Sequence, residues 1–240
     1  MIRIRFRHAV ATAVLATLAA CSQQENTRPQ NDADSQVSDR LASIRAATAR
    51  IDEAAIVAND AHSREWLSYN QGYTEQRYSR LQQINTDTVA RLGLAWSLDI
   101  GSTRGVEATP VVVGRTMYVT GPWSVVYAID AVTGEELWRY DPEVPPSYGQ
   151  RACCDVVNRG VAVARGKVFV ATLDGYLVAL DPATGTELWR TDTFGEYRAT
   201  HLQTITGAPR VIGDLVIIGN GGAELRARGY LTAYRIDDGT

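Results

Sequence analysis

The sequence predicts an all-β propeller built of four-stranded antiparallel W-motif blades. From about Gly93, short β-branched and aromatic runs alternate with Gly- and Asp-bearing junctions, the pattern of antiparallel meanders. A repeat lies over these runs. Ala128-Ile129-Asp130-Ala131-Val132-Thr133-Gly134-Glu135-Glu136-Leu137-Trp138 returns 51 residues on as Ala179-Leu180-Asp181-Pro182-Ala183-Thr184-Gly185-Thr186-Glu187-Leu188-Trp189. A degraded third copy starts at Ala233, 54 residues further, with Arg235 in place of the Asp and Asp238 in place of the Thr. Four strands in each period of about 50 residues mark a propeller blade.

The N-terminus reads as an export signal: Arg3, Arg5 and Arg7 precede an apolar run from Ala9 to Leu18. Its end, Leu18-Ala19-Ala20-Cys21-Ser22, resembles a bacterial lipoprotein box. That resemblance implies cleavage before Cys21 and a lipid on it; plain cleavage after Ala20 is the alternative. Residues 22–36 are polar and poor in apolar side chains, so a disordered tether is expected. Val37, Leu41, Ile44, Ile51 and Ala55 then recur at helical spacing, predicting a short amphipathic helix that packs on the domain. The expected organisation is a signal at 1–20, a lipid-anchored tether and helix at 21–60, and the propeller from 61 to 240.

His62 to Asn85 opens the folded part, with Trp66, Tyr69, Tyr73 and Tyr78 available for core or rim. Expected strands are Pro110–Val113, Met117–Thr120, Val125–Ile129 and Glu136–Tyr140, then Val161–Ala164, Lys167–Ala171, Tyr176–Leu180 and Glu187–Thr191. Within each repeat, Asp130 or Asp181 can accept backbone N–H bonds that start the turn, and Gly134 or Gly185 supplies a positive φ. Trp138 and Trp189 then occupy one position in successive blades, where a large aromatic can fill the wedge between them. The chain stops at Thr240 inside the third copy. Three blades cannot close a ring and would leave open edges, so the expectation is an N-terminal fragment of a longer protein.

Composition narrows the function. The 240 residues carry a formal charge of −3 without a basic block, which argues against nucleic-acid binding. No apolar stretch of about 18 residues follows the signal. Three cysteines are odd for an exported chain; if Cys21 takes a lipid, the adjacent Cys153 and Cys154 remain. Neighbouring Cα atoms lie about 3.8 Å apart, short of the roughly 4.4–6.8 Å an ordinary disulfide spans. A bond between these sulfurs would close a small strained ring that needs a functional reason. Two reduced cysteines are the alternative.

Other patterns carry little. Gly219-Asn220-Gly221-Gly222 lacks the dinucleotide spacing, and no helical pattern follows it. His8, His62 and His201 are scattered, and no C-x-x-C-H haem motif occurs.

The repeat A-x-D-x-x-T-G-x-x-x-W, joined to Cys153-Cys154, Arg159 and Gly222-Ala223-Glu224 in that order, resembles the quinoprotein alcohol dehydrogenases. Gly105 to Pro110, Arg151 to Val161 and Gly219 to Glu224 are most similar to the type II, quinohaemoprotein branch. The resemblance runs from about Trp66 to Thr240. It implies an eight-bladed propeller with about three blades here, holding pyrroloquinoline quinone (PQQ) and calcium on its axis.

Carried over residue by residue, the resemblance implies that Cys153 and Cys154 form a vicinal disulfide stacked on the quinone and that Arg159 contacts its oxygens. Thr206 would bind a cofactor carboxylate, with Thr204 as competing candidate. Gly222 and Ala223 would bring bare backbone close, Glu107 would touch the cofactor, and Glu224 would be the first calcium ligand. It further implies periplasmic oxidation of an alcohol, electrons passing to a haem protein (cytochrome c) or a blue-copper protein, and attachment to the outer membrane by the lipid. The general-base Asp, a calcium-binding Asn, a Trp facing the cofactor and any haem c would lie beyond Thr240. Two other readings stand. One is a non-catalytic propeller scaffold resembling the outer-membrane assembly lipoprotein, and the other a quinoprotein acting on sugars or aldehydes.

Overall fold

The structure, a computed structural model, describes residues 28–240. The export signal, the Cys21 lipidation site and the first residues of the tether lie outside the described residues.

Three antiparallel sheets follow one another along the chain. Blade 1 is β1 (Val111–Val113), β2 (Thr116–Thr120), β3 (Val126–Asp130) and β4 (Glu136–Tyr140). Blade 2 is β5 (Ala162–Ala164), β6 (Lys167–Ala171), β7 (Tyr176–Leu180) and β8 (Glu187–Asp192). Blade 3 has β9 (Arg210–Ile212), β10 (Leu215–Gly219) and β11 (Leu231–Arg235). Each sheet pairs its strands in chain order, and the strand bounds match the sequence expectation within a residue or two. β6 and β7 are buried on both faces, because blade 2 has a neighbour on each side.

The repeat turns are built alike. Asp130 N–H donates to the Glu135 carbonyl, Asp181 N–H to Thr186, and Arg235 N–H to Thr240, each at 2.7–2.8 Å. Gly134, Gly185 and Gly239 hold φ of +77°, +71° and +75°. The degraded third copy therefore keeps the turn without the Asp. Asp130 Oδ1 also accepts the Val132 and Thr133 amides at 2.9 Å.

Each turn receives a tryptophan from the element before it. Trp96 Nε1–H donates to the Ala131 carbonyl (3.1 Å), Trp138 to Pro182 (2.9 Å) and Trp189 to Ile236 (3.1 Å). A Cβ on Gly134, Gly185 or Gly239 would meet the ring of Trp96, Trp138 or Trp189 within 2.6–2.7 Å. Only glycine lets the indole lie flat on the turn.

The helical segment departs from expectation. Helix α1 spans Arg28–Ala49 and a second helix, α2, spans Glu53–Asn59. Part of the segment expected as a disordered tether is therefore helical, and the single helix expected across Ile51 is broken. Residues 33–40 are all exposed, so this first part of α1 is held by local hydrogen bonding rather than packing. The break is at Asp52, whose side chain accepts the Ala55 amide and caps α2. Ile44, Ile51 and Ile56 are buried, whereas Val37 is 47% exposed. The Thr48 and Ile51 carbonyls accept the Gly166 and Arg165 amides of the β5–β6 turn. Arg45 pairs with Asp181 at 2.9 Å and Arg40 with Glu135. The helix thus lies across the repeat turns of blades 1 and 2.

The Pro182 carbonyl accepts from both Trp138 and the buried Tyr118 hydroxyl. Trp138→Phe is expected to cost about 1 kcal/mol, since Tyr118 still satisfies that carbonyl. Combining it with Tyr118→Phe should cost more than the two singles together, by urea denaturation, because the acceptor is then orphaned. Additive losses would mean that Pro182 does not join the two rings.

The Arg115 guanidinium, helped by the Val132 and Thr133 amides, holds the Asp130 carboxyl down at about 2. A depressed carboxyl stabilises the fold above its unfolded value of about 3.9 and loses that contribution as pH falls toward 2. Urea midpoints should therefore fall between pH 4 and pH 2, and Asp130→Asn should flatten that limb while lowering stability at pH 7.

Candidate functional site

In a β1-to-β4 meander, the β1–β2 and β3–β4 turns share one end of a blade, where α1 docks. The β2–β3 loop and the crossover to the next blade share the other. The expected site residues sit on segments of that second end. Glu107 precedes β1, residues 151–161 cross from blade 1 to blade 2, Thr206 lies on the next crossover, and Gly222 to Glu224 lie in the β10–β11 loop.

Arg159 is the centre of the arrangement. Its Nη2 reaches Glu107 Oε2 at 2.9 Å and its Nη1 donates to Thr206 Oγ1 at 2.6 Å. Its backbone N–H donates to the Thr206 carbonyl, and its carbonyl accepts the Thr109 amide. The side chain is one-third exposed, and a guanidinium has five N–H donors, more than these two side-chain contacts use. Thr206 is thus the residue joined to Arg159. Thr204 is buried and pairs with Gly221 in the wall behind.

Cys153 and Cys154 are exposed free thiols. The bonded pair that the resemblance implied is therefore absent from this structure. The neighbouring Cys154 thiol chiefly pushes the Cys153 thiol above its ordinary value. Partial burial and the Cys154 and Glu224 charges push the same way, while Arg159 opposes them. Cys153, Arg159 and Glu224 lie on segments that share the crossover end of the blades. Asp155, at φ +68°, turns the chain directly after the pair and is tied to Arg104 at 2.7 Å.

Gly222 has a reason to be glycine within the chain itself, besides the one the resemblance implies. At φ +113°, a Cβ there would meet the Leu202 carbonyl at 2.8 Å and Gln203 Cα at 3.1 Å. The chain's own backbone crowds this position. Ala223 and Glu224 follow in an exposed turn. Among the described residues no group of three or more His, Cys, Asp or Glu gathers to hold a metal, so Glu224 stands as a single carboxylate.

A cavity of about 780 Å³ lies elsewhere, between residues 192–203 and 228–234, and none of the expected site residues lines it. The candidate site is an open ledge identified by its chemistry. A guanidinium with free N–H groups, a sulfur pair and nearby carboxylates fit a flat, oxygen-rich anion and a hard cation.

Two features escaped the sequence reading. Trp96-Ser97-Leu98-Asp99 repeats the W-x-x-D of Trp138 to Asp141 and Trp189 to Asp192; that spacing was the available signal. Asn158, inside the Arg151 to Gly160 run, lies buried beside Arg159, and only its contacts reveal it.

These features define a bladed propeller segment with a polar, sulfur-bearing ledge at the crossover end. The family model described as "PQQ: Glucose/ethanol/alcohol dehydrogenase, beta-propeller domain" matches residues 66–239. The chain belongs to that family. It is 54% identical over 194 residues to the quinohemoprotein alcohol dehydrogenase of Comamonas testosteroni, covering 81% of this chain and 27% of that protein. The 1-butanol dehydrogenase (cytochrome c) of Thauera butanivorans is 57% identical over 170 residues, 71% of this chain and 24% of that one. The crystal structure of the Comamonas testosteroni enzyme superposes with a TM-score of 0.80 at 53% identity, over 84% of this chain and 30% of that chain. A europium-containing methanol dehydrogenase superposes with a TM-score of 0.73 at 43% identity, over 78% of this chain and 32% of that chain. The chain thus spans a little over a quarter of the length of these dehydrogenases.

Proposed function

We propose that the whole protein oxidises an alcohol with bound PQQ and calcium, and that this chain supplies one wall of the cofactor site. The observation that carries the reading is Arg159 held between Glu107 and Thr206, on the same crossover as Cys153 and Cys154. A scaffold has no use for that constellation, so the dehydrogenase is favoured over the assembly-lipoprotein reading. The relatives' names, which include alcohol dehydrogenases and a butanol dehydrogenase, support a primary alcohol as substrate over a sugar.

PQQ, when bound, supplies the two-electron acceptor, and calcium the Lewis acid that polarises it. Within this chain, Arg159 offers a permanently charged donor to the cofactor's oxygens. Glu107 keeps that guanidinium oriented, Thr206 donates or accepts beside it, and Glu224 supplies one hard oxygen to the ion. Cys153 and Cys154, once they give two electrons and two protons to a thiol oxidant of the export compartment and close a vicinal disulfide, would offer a sulfur surface to the cofactor. The other calcium ligands and the base that takes the alcohol proton come from other parts of the protein. Export, lipidation at Cys21, eight blades and a periplasmic site complete the reading. The cytochrome c in one relative's name supports a haem protein over a blue-copper protein as electron acceptor.

Titration of the whole apoprotein with PQQ and Ca²⁺, followed by absorbance and alcohol-dependent dye reduction, tests this. One cofactor per chain is expected, with Arg159→Ala weakening uptake by about 100-fold, in the range for a lost charged contact in a buried site. Glu224→Gln should raise the Ca²⁺ requirement while leaving the melting temperature unchanged. A folded protein that takes up no PQQ would leave the scaffold.

A further inference from the structure

Buried beside the half-buried Arg159 is a polar hub. Asn158 is 1% exposed and uses both donors of its amide: Nδ2 bonds Ser124 Oγ at 3.1 Å and the Ala171 carbonyl at 2.8 Å. Its Oδ1 accepts the Gly160 amide at 3.0 Å, and its own carbonyl accepts Thr120 Oγ1 at 3.1 Å. Ser124, fully buried, also accepts the Leu173 amide at 3.0 Å. One side chain therefore joins the β2–β3 loop of blade 1, the end of β6 in blade 2 and the residue just after Arg159.

The surroundings leave Arg159 little freedom at its root. Gly160 holds φ +131°, where a Cβ would meet the Thr109 carbonyl at 2.9 Å. Ser124 holds φ +63°, a conformation a non-glycine residue keeps only when its surroundings impose it. A buried Asn so fully bonded is costly to replace, because each lost partner stays buried and unpaired. Nothing in the blade repeat asks for it, since a β-meander needs no polar residue there.

On the cofactor reading given above, on which this rests, we propose that Asn158 is a positioning residue for the cofactor. By clamping Ser124, Ala171 and Gly160, it fixes the backbone from which the Arg159 guanidinium projects. It touches no ligand itself. Its effect on binding passes through Arg159, so that effect must vanish when Arg159 is gone.

The test is a double-mutant cycle on the whole apoprotein, read by PQQ titration with Ca²⁺ at a temperature where each variant is folded by circular dichroism. Asn158→Asp keeps the shape but replaces two donors with an acceptor. It is expected to weaken PQQ binding about tenfold or more, and to leave binding unchanged in an Arg159→Ala background. Ser124→Ala, a milder cut of the same hub, should weaken binding in the same direction if Asn158→Asp fails to fold. Amide exchange without cofactor should accelerate at Arg159 and Gly160 in either variant. Asn59→Ala removes a comparable buried amide, which donates to the Glu65 carbonyl six residues on and belongs to none of the site segments; it should lower stability without changing the PQQ dissociation constant. Asn158→Asp or Ser124→Ala binding PQQ as the parent does, or Asn158→Asp weakening binding equally with and without Arg159, would overturn the proposal. A parent protein that binds no PQQ would fail earlier, at the cofactor reading itself.

Discussion

A tryptophan lying flat on a glycine in the next blade's turn is the contact on which the arrangement depends. An indole has one donor and a broad apolar face. Here the donor finds a backbone carbonyl just past the turn's first residue, and the face finds a glycine that no other residue could replace. Because the same pairing recurs at Trp96, Trp138 and Trp189, each blade meets the next in one register. A polar bond directed from within an apolar wedge fixes both the distance and the rotation between sheets. Dispersion alone would leave them free to slide.

The ledge at the opposite end inherits that precision. Glu107, Arg159 and Thr206 belong to three different inter-strand segments, yet their side chains meet within 3 Å. Only a fixed angle between blades brings them together. The buried hub at Asn158 and Ser124 does for the crossover what the tryptophans do for the turns, converting a loose connection into part of the frame. Helix α1 clasps the turn end through Arg45 and Asp181, away from the ledge. The chemistry at the crossover end and the stapling at the turn end are therefore separated.

Much of this was legible from residues. The D-x-x-T-G-x-x-x-W repeat gave blade period, turn chemistry and strand bounds, because each depends on local spacing. The degraded copy at Arg235 was readable because Gly239 survived, and glycine is the residue the indole requires. Trp96 went unread, since its segment offers only W-x-x-D and no strand pairing of its own. The helix was misjudged at both ends: the polar residues before Val37 gave no apolar period, and the Asp52 cap interrupts a spacing that looked continuous. At the site, residue types singled out side chains that meet around Arg159 but not the contacts that hold them there. Gly222 is demanded by the Leu202 carbonyl, a contact that sequence cannot display. The sulfur pair stands here as two free thiols, and its bonding belongs to the proposal for the exported protein.

The most direct trial of this account is a crystal structure of the exported, full-length protein grown with PQQ and Ca²⁺. Planar density is expected against Cys153 and Cys154, with its oxygens on the Arg159 guanidinium and a calcium ion on Glu224. Density for the cofactor away from Arg159, or Glu107, Arg159 and Thr206 drawn apart with their blades rotated, would contradict it.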